Sequence, residues 1–146
     1  MIETKQAFVA TTMHAKAFLD TNVLIYAIAQ DDPRGTTAED LLAAGGTVSV
    51  QVLNEFVAVA RRKLGMSWDE VKEVLDAIRV LCPSPVDVSI SVHEAALQLA
   101  EKYGYGIYDA LVVAAALEAG CATLYIEDMQ DGQVIEKLTI RNPFRA

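Results

Sequence analysis

Histidine and cysteine are scarce, at two residues each: His14 and His93, Cys82 and Cys121. The cysteines show neither a CxxC motif nor a Cys/His ligand spacing, which argues against a thiolate metal site and predicts two buried thiols suited to a reducing cytosol. The histidines lack the nucleophile and acid partners of a catalytic triad, so they read as surface or strand-edge residues. Basic residues are also few. Twelve Lys and Arg against twenty Asp and Glu give a net charge of −8, which excludes a protein that grips nucleic acid through a broad basic surface, because phosphate neutralisation needs clustered cations. Any nucleic-acid role must be local. No stretch reaches the ~18 uninterrupted apolar residues of a membrane span. The N-terminus is broken by Lys5, His14, Lys16 and Asp20 and forms no continuous apolar signal segment. A soluble cytoplasmic protein without membrane association is expected.

What the chain has is apolar content, 53% over 146 residues, enough for one domain with a sizeable core. Residues 1–12 carry no clear period and Met13 lies shortly before Asp20, so they read as an N-terminal arm or extension ahead of a single domain at 13–146. From there short β-like runs alternate with longer helical ones. Strands are expected at Ala17 to Leu19, Thr47 to Val50, Val86 to Val88 and Ala122 to Ile126. Helices are expected at Val23 to Gln30, Thr37 to Ala44, Gln51 to Leu64, a capped helix opening at Ser67-Trp68-Asp69-Glu70 and running to Leu81, Val92 to Tyr103, and Tyr108 to Ala119. This alternation predicts an α/β sandwich with a mostly parallel sheet.

The acidic residues follow that scheme. Asp20 closes the first strand in AFLDTNVLIYA, and Asp128 follows the run ATLYI; in open α/β sheets, sites form outside the carboxyl ends of strands. Glu55 shares a helix face with Val52 and Val59, and no basic residue joins that face until Arg62, two turns on. Asp109 lies on the face that Val112, Val113 and Ala116 bury. Each Asp also has a structural reading as a helix cap or turn residue. Glu55 is harder to place that way, because a carboxylate among apolar neighbours costs several kcal/mol unless paired, protonated or metal-bound. Converging carboxylates are the donor set of hard divalent cations, Mg²⁺ or Mn²⁺.

The motifs LDTNVLIYA, LNEF, YDALVVAAALEAG and LYIEDMQDG with a closing RNPF, in this order, resemble a PIN-domain ribonuclease, specifically a VapC-type toxin of a toxin–antitoxin pair. The likeness covers about residues 14–144. It implies a PIN-like three-layer α/β/α sandwich with a central mostly parallel sheet. It also implies an acidic quartet, Asp20, Glu55, Asp109 and Asp128, that binds Mg²⁺ or Mn²⁺ and carries metal-dependent endoribonuclease chemistry on RNA. Homodimerisation and silencing by a cognate antitoxin are part of the same implication. Thr21 is then expected to orient an acidic ligand, Asn22 to open the next helix, and Asp131 is a further candidate ligand. The chain departs from the family at Ile126, where Ser or Thr commonly precedes the last acidic pair; loss of that hydroxyl would loosen the site.

A non-catalytic module that holds RNA or an antitoxin without cutting is the alternative function. Other motifs carry less. Gly104-Tyr105-Gly106 lacks the third glycine of a dinucleotide fingerprint and reads as a helix stop. A haloacid-dehalogenase-type phosphatase needs an Asp where this chain has Asn22. Arg61-Arg62-Lys63 is a solvated helix end, favourably placed for the helix dipole, or a contact for RNA phosphates.

Overall fold

The computed structural model describes residues 17–145, so the expected arm at 1–12, Met13 and His14 lie outside the described residues. The chain runs β1 (Ala17–Leu19), α1 (Thr21–Ile28), α2 (Gly35–Ala43), α3 (Val50–Arg62), α4 (Trp68–Leu81), α5 (Ile90–Tyr103), α6 (Ile107–Glu118), β2 (Thr123–Tyr125), β3 (Val134–Ile135) and β4 (Leu138–Arg141). The strands form one sheet in the order β1-β2-β4-β3. β1 pairs with β2, and β2 with β4, in parallel, while β3 folds back antiparallel on β4. The expected α/β architecture with a mostly parallel sheet is therefore the one adopted.

Register explains the core. Phe18, Leu124 and Ile140 lie opposite one another across β1, β2 and β4, and all are fully buried. Burying such side chains from water stabilises by about 1.5–3 kcal/mol each. Helix α6 fills the space beside the sheet: Ala110 and every residue from Val112 to Ala116 are buried, so apolar residues surround the helix instead of forming a stripe. α3 and α4 are amphipathic in the ordinary way, with Val52, Phe56 and Ala60 on one buried stripe and Val71 and Ile78 on another. Both cysteines are buried, as expected.

Two expected strands shrink to bridges. Thr47 pairs in parallel with Phe18, and Ser49 with Val86, continuing the sheet past β1. The chain cannot extend further there because Ser49 is already a helix cap, its Oγ accepting from Val52 N at 3.1 Å, and α3 begins at Val50. Gly46 permits the approach to β1: a Cβ at this position would lie 2.8 Å from the carbonyl oxygen of Ala17. The β3–β4 hairpin is absent from the sequence expectations, although Leu138 and Ile140 alternate as a half-buried strand should. The capping box at Ser67 forms in full, with Ser67 N donating to Glu70 Oε1 at 2.8 Å and Glu70 N to Ser67 Oγ at 3.1 Å. Gly104 takes the left-handed conformation (φ 76°) that ends α5, and Gly106 precedes α6, so this glycine pair marks a helix stop and start.

Candidate metal centre

Asp20 stands where β1 ends and α1 begins, its backbone N–H donating to Tyr125 O at 3.1 Å on the neighbouring strand. Asp128 comes three residues after that strand, Glu55 from the middle of α3, and Asp109 from the first turn of α6. Four separate elements thus deliver the expected quartet, and all four line one cleft of about 340 Å³. Thr21, Asn22, Ala58, Val59, Arg62, Tyr108 and Val112 complete its wall. A cleft of about 330 Å³ near α5 and α6, lined by Lys102, Glu118 and Glu136 among others, contains none of the quartet.

The electrostatics of the cleft follow from this convergence. Asp20 is 8% exposed, and its carboxyl is pushed up to about 7. Burial is the main cause, partly offset by the Thr21 backbone N–H and reinforced by the negative charges of Glu55, Asp109 and Asp128. Asp109 is raised as well, by burial and then by Asp128 and Glu55. Glu55 survives among apolar neighbours because two neutral groups donate to it: Thr21 Oγ1 to Oε2 at 2.9 Å and Gln51 Nε2 to Oε1 at 3.1 Å. Thr21 therefore does orient an acidic residue, as expected. Asn22 does more than open α1, since its Nδ2 donates to Asp128 Oδ2 at 3.3 Å.

No ion pair engages any of the four carboxylates among the described residues. Nor do any three Asp, Glu, His or Cys side chains among those residues close on a common point as metal ligands. Like charges that share a cleft repel one another. Their chemistry nonetheless fits a hard divalent ion, which takes carboxylate oxygens and neutralises charge that no ion pair among the described residues balances.

Asp131 stands apart from this group. Its Oδ1 accepts from Asn142 N at 2.8 Å, and its other oxygen is 3.6 Å from Arg145. Ile126 is 1% exposed and packs into the core, so its side chain does not take part in the cleft. The turn that carries Asp128 is fastened through Glu127 instead. Tyr26 donates its hydroxyl to Glu127, and Arg34 reaches both Glu127 Oε2 at 3.0 Å and the Tyr26 hydroxyl at 2.8 Å. Arg34 also holds Asp32 through Nε and Nη2 at 2.9 and 3.0 Å, and its guanidinium lies 3.7 Å from the Tyr26 ring centroid. Burial and the Glu127 hydrogen bond push the Tyr26 phenol up to about 12, whereas hydrogen bonds from Arg34 lower the Asp32 carboxyl. From the C-terminal side, Asn142 Nδ2 donates to Glu127 O at 3.3 Å, and Phe144 packs edge-on against Tyr26. Sequence reasoning missed this clasp. Its only signals were the acidic neighbour of Asp128 and the closing RNPF.

Fold and site together define an α/β protein with an acidic cluster at the carboxyl end of its parallel strands. The family model of the PIN domain matches residues 17–130, and the chain belongs to the PIN-domain family. Among solved structures it is similar to the VapC20 toxin of Mycobacterium tuberculosis, described as cleaving the sarcin-ricin loop, at 23% identity and a TM-score of 0.64, covering 77% of this chain and 89% of that one. It is also similar to a chain of a toxin–antitoxin complex from Klebsiella pneumoniae (19% identity, TM-score 0.68, 89% and 99% covered). A third likeness is to VapBC2 of Rickettsia felis bound to a promoter DNA fragment (22%, 0.59, 86% and 96%). No curated protein matches the chain in sequence.

Proposed function

We propose that the chain is a Mg²⁺- or Mn²⁺-dependent endoribonuclease of the VapC toxin type that hydrolyses RNA phosphodiesters, acts as a homodimer in the cytoplasm and is silenced by a cognate antitoxin. The observation that carries this reading is the delivery of Asp20, Glu55, Asp109 and Asp128 to one cleft, with burial and mutual repulsion acting on Asp20. The toxin–antitoxin complexes among the solved structures of similar fold support the antitoxin as partner. Among the described residues, no helix is long and apolar enough to cross a membrane.

The four carboxylates would hold one or two divalent ions. When bound, such ions supply water activation and charge stabilisation for in-line attack at phosphorus. The protein's own groups set the stage. Thr21 and Gln51 fix both oxygens of Glu55, Asn22 restrains Asp128, and the Asp20 backbone is pinned to β2, so the donors are oriented before substrate arrives. Burial, reinforced by the neighbouring carboxylates, disfavours the charged form of Asp20, a penalty that a bound cation would relieve.

The test is incubation of the purified, antitoxin-free protein with a structured RNA pool in Mn²⁺ or in EDTA, alongside thermal melts of wild type and Asp109→Asn. Mn²⁺ should license cleavage and raise the wild-type melting temperature, since an ion binding only the folded state contributes about 2.7 kcal/mol at 100-fold excess over Kd. Asp109→Asn should lose cleavage and most of that rise. Equal rises in both proteins with RNA left intact would overturn the reading and leave a non-cutting module.

A further inference from the structure

Asp128 differs from the other three carboxylates in what holds it. Asp20 is pinned through its backbone to β2, Glu55 is held by Thr21 and Gln51, and Asp109 sits in the first turn of α6, whereas Asp128 is exposed in a turn beyond the end of β2. Its carboxylate receives a long hydrogen bond, 3.3 Å from Asn22 Nδ2. A side chain so lightly held takes its position from its backbone, and the preceding residues set that backbone: Ile126 is buried with its N–H on Arg141 O at 3.0 Å, and Glu127 turns away from the cleft. Asp128 lines the cleft, and Glu127, Tyr26 and Arg34 do not. The Glu127 carboxylate ends instead on the Tyr26 hydroxyl and on Arg34. Arg34 is the centre of this arrangement. Its Nε and Nη2 grip the two oxygens of Asp32 at 2.9 and 3.0 Å, a two-pronged pair that fixes the guanidinium plane and aims Nη1 at Glu127 Oε2 (3.0 Å) and the Tyr26 hydroxyl (2.8 Å). All three nitrogens are engaged. A planar fork can hold two carboxylates in fixed directions at once, whereas an ammonium is a point charge on a flexible stem.

We propose that Arg34 is a positioning residue for Asp128: by holding Glu127 outside the cleft it fixes which member of the adjacent acidic pair faces a divalent cation, and so sets the affinity of the site for that ion. The inference rests on the metal site of the reading above and adds a residue that lies outside the cleft. Arg34 acts through two others, Glu127 and then Asp128. Loss of a group that orients a metal ligand from behind typically costs about 10- to 100-fold in metal affinity. Charge alone predicts the opposite sign. A guanidinium near the site repels a cation, so removing it would tighten Mn²⁺ binding if Arg34 were no more than a neighbouring charge.

The experiment titrates Mn²⁺ alone into the metal-free protein by isothermal calorimetry, for wild type, Arg34→Met, Arg34→Lys and Ser67→Ala, and for Glu127→Ala with and without Arg34→Met. RNA cleavage by each is read in parallel. Arg34→Met and Arg34→Lys should each weaken Mn²⁺ binding by about 10- to 100-fold. The lysine variant keeps the charge and loses the fork, so it isolates geometry and carries the test if the methionine variant fails to fold. Ser67→Ala, which removes a helix cap outside the cleft, should lower the melting temperature and leave Mn²⁺ affinity unchanged. In the Glu127→Ala background, Arg34→Met should cause no further weakening, because the residue through which it acts is gone. Wild-type affinity in Arg34→Lys, tighter binding in Arg34→Met, an equal loss in Ser67→Ala, or an undiminished loss in the Glu127→Ala background would overturn the inference and leave the metal site standing. A wild type that binds Mn²⁺ but leaves RNA intact would remove the nuclease reading and keep the positioning role. A wild type that takes up no Mn²⁺ would remove both.

Discussion

Replacing Asp20 with Asn tests the electrostatics of the cleft without any assumption about substrate. Burial and three neighbouring carboxylates raise the Asp20 carboxyl from 3.8 to about 7 in the folded protein. Between those pH values the folded state holds a proton that the unfolded chain has released, so stability falls as pH rises from about 4 to about 7, and the full burden is present above 7. Roughly three pH units at 1.36 kcal/mol each make that burden about 4 kcal/mol. Asn carries no charge at any pH, so the Asn variant escapes it. Burying an amide has its own cost of about 1–3 kcal/mol, but that cost does not change with pH. The decisive quantity is therefore the difference between the two proteins at two pH values. In urea unfolding with EDTA, Asp20→Asn minus wild type should move by about 4 kcal/mol in the variant's favour between pH 4 and pH 8. Saturating Mn²⁺ at pH 8 should recover most of the wild-type deficit and little in the variant. A difference that stays constant with pH would refute the account of Asp20 as a buried carboxylate among like charges.

Glu55→Gln should abolish Mn²⁺-dependent RNA cleavage while circular dichroism stays unchanged, because Gln keeps the shape and helix propensity of Glu but loses the charge that Thr21 and Gln51 now orient; full activity would remove Glu55 from the site. Tyr26→Phe should cost about 1 kcal/mol in urea unfolding, the worth of the hydroxyl shared between Glu127 and Arg34, while keeping the ring against Phe144. An unchanged midpoint would show that the clasp on the Asp128 turn does not need the hydroxyl. Gly46→Ala should destabilise by about 1–3 kcal/mol, since its Cβ would meet backbone, not a movable side chain, at 2.8 Å; a neutral thermal melt would mean that β1 and the Thr47 bridge can separate freely.

Periodicity and punctuation carried a good deal of this protein. The glycine stop at Gly104, the capping box at Ser67 and the apolar face of α3 depend on residues a few positions apart, and local rules reach that far. The same locality placed Asp20 and Asp128 beyond strand ends and made Glu55 conspicuous among Val52 and Val59. Features built on distant partners were not legible. Thr47 to Val50 reads as a strand by composition, but the Ser49 cap and the pairing of Val86 decide that only bridges form. Ile126 reads as a lost hydroxyl in the site, yet the pleat beyond β2 turns it into the core, while Asn22, more than a hundred residues away in sequence, restrains Asp128. The Tyr26–Arg34–Glu127 clasp and the exposure of Tyr108 beside the quartet belong to the same class. Which side chains share a cleft, and how strongly burial and repulsion act on them there, depends on packing between elements that no local pattern encodes.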